Sequence, residues 1–111
     1  MSQAADERGS ETVELAQLYL KGVPGDGRAR VILGRALLRE RHYEEALNVW
    51  RALAADRPDS VEPQLQIARL AKRLELPDLG RQAADCVLAL EPGHDEARTL
   101  RTHFDETDSL G

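Results

Sequence analysis

Cysteine is nearly absent from this 111-residue chain, where Cys86 stands alone. One thiol cannot form a disulfide framework, and no Cys–Cys spacing marks a structural zinc site. Nothing beside Cys86 would activate it, so it reads as a buried, inert thiol. Lysine is scarce as well, with only Lys21 and Lys72. Aromatic residues make up 4% of the chain, too few for a surface that stacks bases. A formal net charge of −5 argues against a general nucleic-acid binder. No stretch approaches the roughly 18 apolar residues of a membrane span. Residues 1–10 are polar and lack the apolar run of a secretory signal. The expectation from these absences is a cytoplasmic protein.

Catalytic patterns are missing too. His42 and His94 fall in turns and His103 on the last helical segment, none with a second ligand at metal spacing. All three read as surface residues. Ser10, Ser60 and Ser109 lack the glycines of a nucleophile elbow. The stretch 22–27 is rich in glycine but lacks the Gly-Lys-Ser/Thr end of a phosphate loop. The expectation is a chain that is not an enzyme, with no metal, no cofactor and no small-molecule substrate.

What is present is a period. Pro24, Pro58 and Pro92 lie thirty-four residues apart, each closing a helical pattern. A fixed period of this length is the mark of a helix–turn–helix unit copied in tandem. The apolar spacing predicts helices over about 11–21, 28–40, 43–55, 60–74, 77–90 and 95–105. The turn at Arg41-His42 is so brief that its flanking helices must run antiparallel. Asp59 followed by Glu62 resembles a capping box at the start of the fourth helix. Pro63 is tolerated in that first turn. Residues 1–10 are expected to be a disordered lead and 106–111 a flexible tail.

Within this frame Leu33-Gly34, Leu37, Tyr43, Ala46, Trp50 and Pro58 follow one another as they do in a tetratricopeptide repeat, which the segment resembles. Arg30 stands where the pattern has its first aromatic. Gly34 would let the second helix approach, with Ala46 facing it and Trp50 and Leu53 filling the seam. The copy over 61–94 places Ile67-Ala68, Ala71, Gly80, Ala84 and Pro92 at the matching positions, with Gln64 and Ala84 where aromatics are expected. In the last helix Arg101 falls in a slot that should be buried, which suits a capping helix. In the first, Leu15-Ala16 with Tyr19 mimics an opening helix. Its proline, however, is in phase with the prolines that end closing helices. The resemblance therefore implies an all-α α-solenoid of antiparallel helix pairs over residues 11–105. Its full repeats are about 27–60 and 61–94, preceded by a half-repeat helix and followed by a capping helix.

The resemblance also implies a function. Tetratricopeptide arrays bind extended peptides or partner helices along the face lined by the first helix of each pair. Carried over, that face holds Arg28, Val31, Arg35, Leu38 and Arg39, then Glu62, Leu65, Arg69, Lys72 and Arg73. The set is mostly basic, whereas Glu44, Glu45, Asp56, Asp78, Asp85 and Glu91 make the second helices acidic. Arginine's planar fork pairs carboxylates, so the expected partner is a protein, with an acidic or amphipathic peptide or helix in a basic concave groove. The lysine and asparagine clamp of chaperone-tail binders is not matched at Val31, Arg35 and Gln66. Two alternatives stand beside this reading. One is a structural segment for homo-oligomerisation or for docking in a larger protein; the more remote is an RNA-binding helical repeat.

Overall fold

The structure is a computed structural model that describes residues 2–110, with side chains described over 11–107. Its elements are α1 (Ser2–Gly22), α2 (Gly27–Arg39), α3 (Tyr43–Asp56), α4 (Val61–Arg73), α5 (Pro77–Leu90) and α6 (Asp95–Leu110). No strand occurs among the described residues. The four inner helices match the expected spans to within a residue or two. The outer two are longer, running through 2–10 and 106–110 beyond the apolar stripes. Backbone bonding propagates once a helix is nucleated and needs no buried face to continue. The chain divides into two compact units, one through Leu53 and one from Ala54.

In the first unit α1 packs on α2. Asp26 ties them together. One carboxylate oxygen accepts from the Ala29 N–H at 3.2 Å, capping α2, and the other accepts from the Tyr19 hydroxyl at 2.8 Å. The core is made of Leu33, Ala36, Leu37, Ala46, Leu47, Trp50 and Leu53. A Cβ placed on Gly34 would lie 2.7 Å from the Trp50 indole. The group nearest Gly34 is thus the ring of Trp50, one of the two residues expected to fill the seam. Ala46 is buried in the same seam. The ring occupies the volume that any larger residue at 34 would need. The Trp50 Nε1–H is buried with no hydrogen-bond partner among the described residues, so burial of the ring has to offset about 1–3 kcal/mol of desolvation.

In the second unit α4 packs on both α5 and α6, and α5 packs on α6. Ala68, Ala71, Ala84 and Val87 are fully buried. Both members of the Gly34–Trp50 pair are alanine here, at Ala68 and Ala84. The bulk comes from elsewhere: the Phe104 ring of α6 lies against Gly80 of α5 so closely that a Cβ there would collide with it.

Both opening helices end alike. Arg41 and Glu75, one period apart, adopt left-handed backbone with φ of 63° and 59°. The N–H groups of Arg41 and His42 bond back to Leu38 and Leu37, and those of Glu75 and Leu76 to Lys72 and Ala71. This doubled closure satisfies the last carbonyls of each helix.

Three local expectations need correction. Ser60, not Asp59, is the N-cap of α4, and it makes no side-chain capping bond. Glu62 is then one position too early to close a capping box, and Pro63 takes the third helical position. His94 is more than a surface turn residue: its Nδ1 accepts the Ala97 N–H at 3.1 Å and caps α6. Cys86 is half-buried rather than buried, because it sits beside the Ala83, Ala84 and Val87 stripe instead of on it.

Candidate functional site

The carried-over residues lie on faces that the cores leave uncovered. On α2 the buried residues are Ala29, Leu33, Gly34, Ala36 and Leu37. Arg28, Arg35 and Arg39 are exposed, with Val31 and Leu38 half-buried between them. On α4 the buried set is Pro63, Ile67, Ala68, Leu70 and Ala71. There Arg69, Lys72 and Arg73 are exposed, and Glu62 and Leu65 half-buried. A helix returns to the same side every three to four residues, so each face presents cations flanking an apolar strip. The acidic residues Glu44, Glu45, Asp56, Asp78, Asp85 and Glu91 are all exposed on or beside α3 and α5.

Arg69 is paired across helices. Its Nε and Nη2 donate to the two carboxylate oxygens of Glu96 on α6, both at 2.6 Å. This planar two-bond pairing is the strong form of the contact. It raises the Arg69 pKa and holds the Glu96 carboxyl below the usual carboxylate range. Arg69 therefore joins α4 to α6 within its own unit. No sequence pattern signals the pairing, since Glu96 lies 27 residues away.

Arg101, in the slot occupied by Leu33 and Ile67 in the two repeats, is half-buried. Its Nε donates to Asp85 at 2.6 Å and its Nη1 to Asp105. Arg81 approaches Asp105 at 3.5 Å. Ion pairs thus close this side of α6 where a repeat in the middle of an array would be apolar.

One surface was not anticipated. Thr12, Leu15, Ala16 and Tyr19 of α1 with Arg28, Ala29 and Ile32 of α2 line a groove of about 390 Å³. Leu15 is 66% exposed, Ile32 52% and Tyr19 50%. Large apolar residues bare in one contiguous patch are the usual sign of an interaction surface. The available signal was the period: Tyr19 occupies the position of Leu53 and Val87, both buried.

Of the histidines, His94 is a cap, the His103 ring meets the Phe104 ring edge-on at 5.4 Å, and His42 stands 3.7 Å from the Glu40 carboxylate. Among the described residues no group of His, Cys, Asp or Glu is placed to hold a metal ion. No helix among them is long and apolar enough to cross a membrane.

Paired helices of fixed period, a small-residue seam and exposed opening-helix faces define an all-α, tetratricopeptide-like helical-repeat protein. Solved structures agree. MamA AMB-1 superposes with a TM-score of 0.83 at 16% identity, over 87% of this chain and 53% of that one. MamA MSR-1 gives 0.81 at 17% identity, over 97% and 60%. A double mutant of MamA RS-1 gives 0.72 at 18% identity, over 94% and 70%. The chain spans little more than half the length of the first two, and at these identities the likeness concerns the fold alone. No family model and no curated protein matches the chain.

Proposed function

We propose that the chain is a protein-interaction module that binds an acidic or amphipathic peptide or helix on the arginine-bearing faces of its opening helices. The residues assigned are Arg28, Val31, Arg35, Leu38 and Arg39 on α2 and Leu65, Arg69, Lys72 and Arg73 on α4. The observation that carries this reading is that every one of them is left unburied by its unit, while the facing stripe of each helix is packed. Cations beside half-buried leucine and valine suit a ligand that carries both carboxylates and apolar anchors. Helical-repeat proteins work by presenting such surfaces. The reading assigns no catalytic residue, cofactor or small-molecule substrate.

The test is titration of the full chain with a labelled, acidic, amphipathic helical peptide followed by anisotropy. Arg35→Glu/Lys72→Glu should weaken binding about tenfold or more while the helical signal and melting temperature stay unchanged. Equal binding by both proteins would remove the assignment.

A second reading, an oligomerisation or docking segment, draws on the apolar residues left exposed on α1. Its measure is mass in solution across a concentration series, and a strict monomer counts against self-association. The remote RNA-binding reading has only the arginines in its favour and is opposed by the acidic total.

A further inference from the structure

The α1–α2 groove has a counterpart inside the same chain. Two periods on, Thr12, Leu15, Ala16 and Tyr19 of α1 correspond to Gly80, Ala83, Ala84 and Val87 of α5. By the same shift Ala29 and Ile32 of α2 correspond to Ala97 and Leu100 of α6. All six positions in the second unit are buried, and the helix that packs on both α5 and α6 is α4. In the first unit Leu15, Tyr19 and Ile32 are half exposed or more. One helix pair is covered, and its equivalent is bare.

Charge says what kind of helix would cover it. Where α4 lies over the second pair, its Arg69 grips Glu96 of α6. The counterpart of Glu96 two periods earlier is Arg28, exposed at the rim of the α1–α2 groove. The sign is inverted, so a covering helix must carry an acid where α4 carries Arg69. The neighbouring Asp26 carboxylate feels the charge of Arg28, but its two oxygens are hydrogen-bonded to Tyr19 and Ala29, so it answers that charge only in part. On α6, ion pairs of Arg101 with Asp85 and Asp105 take the slot that is apolar in the two repeats.

We propose that the α1–α2 groove is the docking site for an amphipathic α-helix of a partner protein. That helix takes the place over α1–α2 that α4 takes over α5–α6, with a Glu or Asp set against Arg28. Its apolar stripe covers Leu15, Tyr19 and Ile32, which is helix-in-groove recognition. Of the arginine-bearing faces assigned above it uses only Arg28, so it stands or falls apart from them.

The experiment uses the full chain, isotope-labelled, and two peptides of the 13-residue α4 sequence, each held helical by a side-chain cross-link on its solvent side. One is unchanged and the other carries Arg69→Glu. The Arg69→Glu peptide should bind and move the amide signals of Leu15, Ala16, Tyr19 and Ile32. The unchanged peptide should bind about fivefold more weakly, the scale of one partly exposed ion pair. Arg28→Glu in the chain should reverse that order. Ile32→Asp or Leu15→Asp, both at exposed positions and checked for an unchanged melt, should weaken binding at least tenfold, whereas Arg51→Glu, exposed on α3 and outside every assigned face, should leave it unaltered. The proposal is overturned if neither peptide binds or if binding survives Ile32→Asp. It is equally overturned if the chain alone is a dimer that Ile32→Asp dissociates, which would make the occupant a second copy.

Discussion

The two units obey one register and fill it differently. In the first, a glycine on the opening helix admits a tryptophan from the closing helix: Gly34 against Trp50. In the second, both of those positions are alanine, and the void is filled one helix later by Phe104 over Gly80. Each unit therefore has one large ring seated on one glycine, but between different helices. The period sets where backbones come close. Which residue supplies the volume is free, provided that density is kept.

The comparison breaks most visibly if either ring is removed. Trp50→Ala and Phe104→Ala should each cost about 3–5 kcal/mol, as for other buried aromatics. Hydrogen exchange should show the first loosening α2 and α3 most, and the second α5 and α6. Equal loss of protection throughout after either change would mean that the units do not have separate cores. The Trp50 cost should fall for Trp50→Phe, because that change also removes the buried N–H that lacks a partner.

Reversing the small partner sharpens the same point. Gly34→Ala and Gly80→Ala improve helix propensity by about 1 kcal/mol. A methyl group at either position nevertheless meets a ring, and overpacking of this kind costs about 1–3 kcal/mol. Both variants should melt lower than wild type; a higher melting temperature would show that the rings have room to yield.

A smaller effect of opposite sign is expected at the shared helix ends. Arg41 and Glu75 hold a left-handed conformation that favours glycine. Arg41→Gly and Glu75→Gly should each raise stability by about 0.5–1 kcal/mol in denaturant titration. Unequal gains would reveal a difference between the units that their matching backbone bonds do not suggest.

The smallest effect is in acid. Asp26 of the first unit is held below the usual carboxylate range by the Tyr19 hydroxyl and then the Ala29 N–H, and Glu96 of the second by Arg69. On acidification the unfolded chain takes up these protons first. The contribution of each carboxylate is complete above the ordinary carboxylate range and drains away as pH falls toward the lower folded value. Melting temperature should decline modestly over that window, and Asp26→Asn or Glu96→Gln should flatten the decline. A melting temperature independent of pH would deny both contacts an energetic role.

Much of the architecture was readable because it is local and periodic. Prolines a period apart, alternating helical stripes and a glycine beside a leucine need only backbone geometry to be interpreted. The misreadings were also local. Asp59 and Glu62 had the spacing of a capping box, but the helix started one residue later. His94 is an uncommon cap, so a turn histidine gave no warning. The site was legible only in part. Helical spacing placed Arg28, Arg35 and Arg39 on an open face, yet it could not show that Arg69 was engaged by a glutamate on another helix.

By itself the sequence determined the repeat length, the order and bounds of the inner helices, and which residues are small enough to form the seams. Those follow from backbone hydrogen bonding and side-chain size within a few residues of one another. Only the tertiary structure decided that Phe104 of α6 fills the gap at Gly80, that Arg69 pairs with Glu96, and that the α1–α2 groove lies bare. These depend on distances between residues far apart in the chain, and such distances exist only once the helices have packed.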